Sequence, residues 1–228
     1  VFGYGEKSAV HFYERDCSIQ RRFQKIIEES PAPKVDQSII KKMAEMSVKF
    51  ASDQKYEGAG TIEFIYDIDQ KKFYFLEMNT RIQVEHPVTE EITGVDLVEL
   101  QIKYALNLDS TRVLQNEITK KGNSLECRLY AEDPKKNFLP SPGKISKLRL
   151  PEVSQDIRID IGVGEGDEIS FYYDPMIAKI IAKGENRYET IKKMKSFLQS
   201  FEIDGIKTNK PFLIEVLKNK SFEEAKFN

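Results

Sequence analysis

The sequence predicts an α+β fold, because strand-like hairpins with period-two patterning are interspersed with a few capped, amphipathic helical stretches. Its 228 residues, 32% of them charged, make one large domain or parts of two. No internal repeat and no low-complexity segment modifies that picture.

Val1 has no methionine, signal or transit segment before it, and the opening VFGYGEKSAVHFYER starts as though inside a strand. A turn is expected at Gly3-Tyr4-Gly5, with a second strand through His11 and Tyr13, so the chain is expected to begin within a hairpin. Pro31 and Pro33 stop structure ahead of an amphipathic helix from Asp36 to about Ser52, whose inner stripe reads Ile39, Met43, Met46 and Phe50. Gly58–Asp67 and the run from Phe73 form a hairpin around Asp69-Gln70-Lys71. Asp96, with Glu99 three residues on, caps a helix from about Leu97 to Leu106. Residues Asp109 to Asn123 are polar and turn-rich, and mark the domain boundary. Strands follow at Ser124–Ala131, Gly143–Leu150, Ile157–Val163 and Pro175–Lys183. A last helix starts at Asn186, capped with Glu189, and turns Ile191, Met194, Leu198 and Phe201 inward.

The run FYFLEMNTRIQVEHPVTE, Phe73 to Glu90, carries the chemistry. Glu77, Asn79, Arg81, Gln83 and Glu85 recur every second residue, so an extended chain projects all of them from one face. With the turn near Gln70, Glu63 falls opposite Glu77, and facing carboxylates repel unless a cation bridges them. Oxygen ligands of this kind suit Mg²⁺ or Mn²⁺. The alternative is a solvated hairpin face; the continuation through Asn79 and Arg81 favours the site.

A net charge of -2 with interspersed signs offers no electrostatic footprint for nucleic acid or an acidic membrane surface. No apolar run approaches the ~20 residues of a membrane span. Cys17 and Cys127 form no disulfide framework or metal cluster, suit a reducing compartment, and read as packing residues. His11 reads as a strand residue. His86, which alternation puts on the opposite strand face ahead of Pro87, reads as structural.

Phe73–Glu90, together with YERDCSIQRRFQK (Tyr13–Lys25), EESPAP (Glu28–Pro33), LECRLYAEDP (Leu125–Pro134) and FLPSPGKI (Phe138–Ile145), resembles the biotin carboxylases of the ATP-grasp superfamily, from the first residue to about Asn209. The resemblance implies the C-terminal part of an ATP-grasp domain in residues 1–108, a linker at 109–123 and a biotin carboxylase C-terminal domain in 124–228. It implies ATP-dependent carboxylation of protein-linked biotin by bicarbonate, through carboxyphosphate. Glu63, Glu77 and Asn79 then hold Mg²⁺ (or Mn²⁺) on ATP, with Gln20 and Lys25 as nucleotide contacts. Lys25, Arg81, Gln83 and the backbone of Val84 cradle bicarbonate, Glu85 is the base, and Arg128 stabilises the biotin enolate. On spacing alone RRFQK is equally a solvated basic face. Phe23 departs from the family, which usually carries histidine there; a phenyl ring packs but donates no hydrogen bond, which puts nucleotide affinity in question.

The implied partners are a biotinyl carrier domain, a carboxyltransferase and a second copy of the chain, in the cytoplasm of a bacterium or the mitochondrial matrix of a eukaryote. GEGDEISFYYDPMIAKIIAKGENR is more similar to propionyl- and methylcrotonyl-CoA carboxylase α-subunits than to single-function bacterial subunits. By the same resemblance the phosphate lid and adenine segment lie upstream of Val1, so the piece alone is expected to carboxylate no biotin. Two other readings stand: another ATP-grasp ligase such as a carbamoyl phosphate synthetase, and a non-catalytic assembly fragment.

Overall fold

The computed structural model describes residues 1–108, 112–152 and 154–226 and divides into two units, Val1–Arg15 with Ser30–Lys121, and Asp16–Glu29 with Gly122–Asn228. In chain order the strands are β1 (Phe2–Tyr4), β2 (Ala9–Val10), β3 (Asp16–Arg21), β4 (Gln24–Ser30), β5 (Glu57–Ala59), β6 (Thr61–Asp67), β7 (Lys72–Asn79) and β8 (Asn123–Tyr130). There follow β9 (Glu132–Asp133), β10 (Leu139–Pro140), β11 (Gly143–Lys144), β12 (Lys147–Arg149), β13 (Ile157–Ile161), β14 (Glu168–Ile169), β15 (Met176–Gly184) and β16 (Glu202–Asp204). The helices are α1 (Gln37–Asp53), α2 (His86–Thr93), α3 (Leu97–Ala105), α4 (Arg187–Ser200), α5 (Lys210–Lys218) and α6 (Lys220–Glu223).

In the first unit β1 is the middle strand of a β2-β1-β5 sheet, with Phe2 opposite both Val10 and Ala59. The turn expected at Gly3-Tyr4-Gly5 falls later, at Gly5-Glu6-Lys7, all at positive φ. Gly3 serves packing instead: a Cβ there would lie 2.0 Å from the Tyr56 carbonyl oxygen. The second strand stops at Val10, short of the expected Tyr13, whose φ of +63° breaks the extended run. Helix α1 starts where expected, with the Asp36 carboxylate accepting from the Ser38 backbone N–H. Its inner face is rotated from the expected stripe: Ile40, Ser47 and Ala51 are buried, while Met46 and Phe50 are exposed. Asp96 caps α3 through Glu99 N–H at 2.7 Å, but the Glu99 carboxylate pairs with Lys103. Of the segment 109–123, residues 109–111 lie outside the described residues. Beyond them a 3-10 turn, Gln115–Glu117, leads to buried Ile118, whose carbonyl accepts from the Tyr13 hydroxyl.

The second unit is built on a five-stranded sheet, β13-β15-β8-β4-β3. Tyr13–Lys25, read from sequence as a motif without strands, contributes β3 and β4 to this sheet, so residues 16–29 fold with the C-terminal unit rather than with their sequence neighbours. Arg22 and Phe23 form the two-residue loop between them, both at positive φ (50° and 64°), the conformation a tight hairpin of right-twisted strands requires. Helix α4 turns Ile191, Met194, Phe197 and Leu198 into the core, where they meet Leu125, Cys127, Leu129, Ile180 and Ala182. The expected strand at Gly143–Leu150 is two pieces: β11 pairs with β14 and β12 with β16. Helices α5 and α6, which the sequence reading did not name, close the core with Leu213, Leu217 and Phe222.

Cys127 is fully buried, and burial, reinforced by the neighbouring Glu28 and Glu126 carboxylates, pushes its thiol well above the ordinary range. Because the thiolate is the reactive form, iodoacetamide is expected to leave Cys127 unmodified in the native protein and to alkylate it after unfolding. Peptide mass mapping reads the result; native alkylation of Cys127 would contradict this burial.

Candidate active site

Strands β6 and β7 pair in the register that sets Glu63 opposite Glu77, followed by a bulge. Like charges so placed destabilise a hairpin, and here one amide intervenes. Asn79 Nδ2 donates to Glu63 Oε1 and to Glu77 Oε1, both at 3.0 Å. A nitrogen between two carboxylates marks the position a cation would take, and Asn79 would then turn its Oδ1 inward. Two carboxylates and one amide oxygen fit Mg²⁺, which favours oxygen and takes its remaining ligands from phosphates and water. Among the described residues no group of three or more His, Cys, Asp or Glu could hold a metal ion.

The row does not continue as a strand. β7 ends at Asn79, and residues 80–85 bend into α2, so Arg81, Gln83 and Glu85 do not share a strand face with Glu77. Pro87 accounts for this: at the first helical turn its missing N–H costs nothing and its fixed φ suits a helix. The expected alternation of Phe73 and Phe75 against Tyr74 and Leu76 buries no face either; Tyr74, Phe75 and Leu76 are all exposed, because β6 and β7 form a two-stranded sheet.

What the turn does is bring the row's later members to different depths. Arg81 is exposed, with Nη1 donating to the Ile82 carbonyl at 3.1 Å. Gln83 is buried and its Nε2 donates to Glu63 Oε1 at 2.7 Å, tying the turn to the carboxylate pair. Val84 is half-buried. Glu85, 2% exposed, sits at the N-cap of α2 yet makes no cap hydrogen bond to the helix. His86 is the first residue of α2 and not a strand residue on the opposite face. Its Nδ1 lies 2.8 Å from the Gln83 carbonyl oxygen, an acceptor, so this nitrogen carries the proton and the ring locks the turn.

Arg15, to which the sequence reading gave no role, joins this site. Its guanidinium donates to Gln83 Oε1 (2.8 Å), Thr61 Oγ1 (3.0 Å) and Thr89 Oγ1 (2.9 Å).

In the second unit, Gln20 and Lys25 are opposite each other on the β3–β4 hairpin. Gln20 is exposed and donates to the Cys17 carbonyl; Lys25 is half-buried. Arg21 anchors the hairpin through Glu132, whose two carboxylate oxygens lie 2.6 and 2.7 Å from Nη2. Burial raises the Glu132 carboxyl above its usual range, and Arg21 partly offsets it. Phe23, at the hairpin tip, is 97% exposed, a ring with its face in solvent.

Arg128 lies on β8, where Leu125, Cys127 and Leu129 enter the apolar core and the residues between them are buried as well. It is held by two fully buried carboxylates, Glu28 at Nη2 and Glu126 at 4.0 Å from Nε. Buried Asn209 clamps the adjoining backbone, accepting from Tyr130 N–H at 2.8 Å and donating to the Arg128 carbonyl at 3.0 Å. Glu28 and Asn209 were missed from sequence because neither lies near Arg128 in the chain.

Comparison with known proteins concerns the two halves of the chain. The family described as "Carbamoyl-phosphate synthase L chain, ATP binding domain" matches residues 1–112, and "Biotin carboxylase C-terminal domain" matches residues 126–228. "Biotin carboxylase 1" of Bacillus subtilis is 48% identical over 221 residues, 97% of this chain and 49% of that protein. The mitochondrial methylcrotonoyl-CoA carboxylase subunit alpha of Mus musculus is 46% identical over 223 residues, 98% of this chain and 31% of that protein. The biotin carboxylase domain dimer of Hydrogenobacter thermophilus 2-oxoglutarate carboxylase, solved with MgADP, ADP and bicarbonate, superposes with a TM-score of 0.95 at 44% identity, covering 100% of this chain and 49% of that one. The chain thus spans about half the length of the first of these relatives, or less. With its two halves matching an ATP-binding domain and a biotin carboxylase C-terminal domain in order, the chain belongs to the biotin carboxylase family.

Proposed function

We propose that this chain serves in the ATP-dependent carboxylation of carrier-linked biotin by bicarbonate, through carboxyphosphate, in a biotin-dependent carboxylase of the acyl-CoA type. The single observation that carries this is the Glu63–Asn79–Glu77 triad tied through Gln83 to the turn that bears Glu85. Glu63, Glu77 and Asn79 hold the divalent cation, which supplies charge neutralisation on ATP phosphates. Arg81, exposed at the bend, forks onto planar bicarbonate as a lysine could not. Gln83 and the Val84 backbone are assigned to the bicarbonate cradle in the first unit; in the second, Lys25 is assigned to bicarbonate and, with Gln20, to the nucleotide. Glu85 accepts the bicarbonate proton. Arg128, oriented by Glu28 and Glu126, stabilises the biotin enolate oxygen. The same reading assigns residues 1–108 to the C-terminal part of an ATP-grasp domain, 109–123 to a linker and 124–228 to the biotin carboxylase C-terminal domain. Its partners are a biotinyl carrier domain, a carboxyltransferase and a second copy of the chain. No helix among the described residues is long and apolar enough to cross a membrane.

The full-length parent, given Mg·ATP, bicarbonate and biotin, is expected to form carboxybiotin, measured directly. Carbamoyl phosphate made from ammonia instead would favour the sister ligase, and no turnover with either would favour an assembly role.

The cation assignment has its own test. Glu63→Gln and Glu77→Gln in the full-length parent should each raise the half-saturating Mg²⁺ concentration, and the double variant should lose less than the two combined, because both act on one site. Fully additive losses, or an unchanged Mg²⁺ dependence, would contradict it.

A further inference from the structure

Arg15 reaches three side chains on three elements: Thr61 on β6, Gln83 in the turn and Thr89 on α2. A guanidinium donates and never accepts, so the Gln83 atom facing it must be the amide oxygen. The amide nitrogen is thereby directed to Glu63, 2.7 Å away. Turning the amide over would set its NH₂ against the guanidinium and its oxygen against the carboxylate, replacing two charge-assisted hydrogen bonds with two repulsions. Gln83 is 5% exposed, so water cannot make good the loss.

We infer that Arg15 is a positioning residue, which holds Gln83 as a hydrogen-bond donor toward the anion cradle and keeps its oxygen away from the cation carboxylates. The inference rests on the bicarbonate reading of Gln83 given above. It distinguishes the two amides of the site. Among the described residues no guanidinium donates to the Asn79 amide, which can turn to offer its oxygen to a cation, whereas Gln83 cannot. One hydrogen of the Gln83 amide goes to Glu63, and the second remains on the same nitrogen for the anion. Arg15 touches neither substrate in this scheme; it acts through Gln83.

The test uses the full-length parent as five proteins: wild type, Arg15→Met, Gln83→Met, the double variant, and Arg15→Lys as the conservative control. Bicarbonate-dependent ATP cleavage in the presence of biotin gives kcat and KM for bicarbonate, and thermal unfolding reports the folded fraction. Arg15→Met is expected to raise KM for bicarbonate about ten- to a hundredfold, the worth of a hydrogen bond to a charged group, with a smaller change in kcat. Arg15→Lys should recover part of this, since an ammonium still requires an acceptor opposite it. In the Gln83→Met background, Arg15→Met should leave KM unchanged. A purely structural arginine would lower kcat with the folded fraction and leave KM alone, and that result overturns the inference. So does an Arg15→Met effect on KM that persists in full without Gln83. A wild-type parent that cleaves ATP without regard to bicarbonate overturns the functional reading first, and this inference with it.

Discussion

Replacing Glu85 with glutamine in the full-length parent is expected to lower biotin carboxylation on the order of 10²–10⁴-fold, the usual worth of a positioned general base. Glutamine keeps the shape of the side chain and removes its capacity to take a proton. Glu85 is 2% exposed, so a solvent base cannot substitute freely for it, and it makes no cap hydrogen bond whose loss would unravel α2. The carboxylates assigned to the cation are untouched, so Mg·ATP affinity should change little. Steady-state carboxybiotin formation and nucleotide titration measure the two quantities separately. Undiminished bicarbonate-dependent turnover would remove Glu85 from the base position; an equal loss of ATP affinity would point to a collapsed turn instead.

The second large effect is on stability and activity together. Arg128→Met leaves Glu28 and Glu126, both fully buried, without the guanidinium between them. Breaking a buried pair from one side costs about 3–5 kcal/mol, because a charge is stranded away from water. The variant should therefore unfold at markedly lower urea concentration and should also lose turnover. Adding Glu28→Gln to Arg128→Met should restore part of the stability and none of the activity. An Arg128→Met protein with an unchanged unfolding midpoint would show that the two carboxylates do not depend on the arginine.

How much of this was legible in the chain differs by element. The Glu63–Glu77 opposition followed from alternation on two strands and a short polar turn, and the observed register agrees. The caps at Asp96 and Asn186 are equally legible, since a side-chain oxygen next to the first free N–H groups of a helix is a local event. The inner stripe of α1 lies one position on from the expected one, because period alone leaves the face open when apolar residues lie on both sides, and Ile40 is buried in place of Ile39. The extended row beyond Asn79 differs for another reason: a period of two predicts a strand, but Pro87 favours a helix start and the chain bends into α2.

The sequence by itself determined the residue types and the local order of the site: two carboxylates at one register position, an amide beyond them, and the arginine, amide and glutamate that follow. It did so because strand pairing across a tight turn and helix capping are governed by neighbours within a few residues. Only the tertiary structure decided which distant groups hold those residues in place. Thr61, Gln83 and Thr89 meet at Arg15 across sequence separations of 46 to 74 residues, and Asn209 clamps the backbone beside Arg128 from 81 residues away. The β3–β4 hairpin likewise left its sequence neighbours for the sheet of the second unit. Such contacts leave no periodic trace in a single chain, since a buried donor is satisfied by whichever acceptor the packed core brings to it.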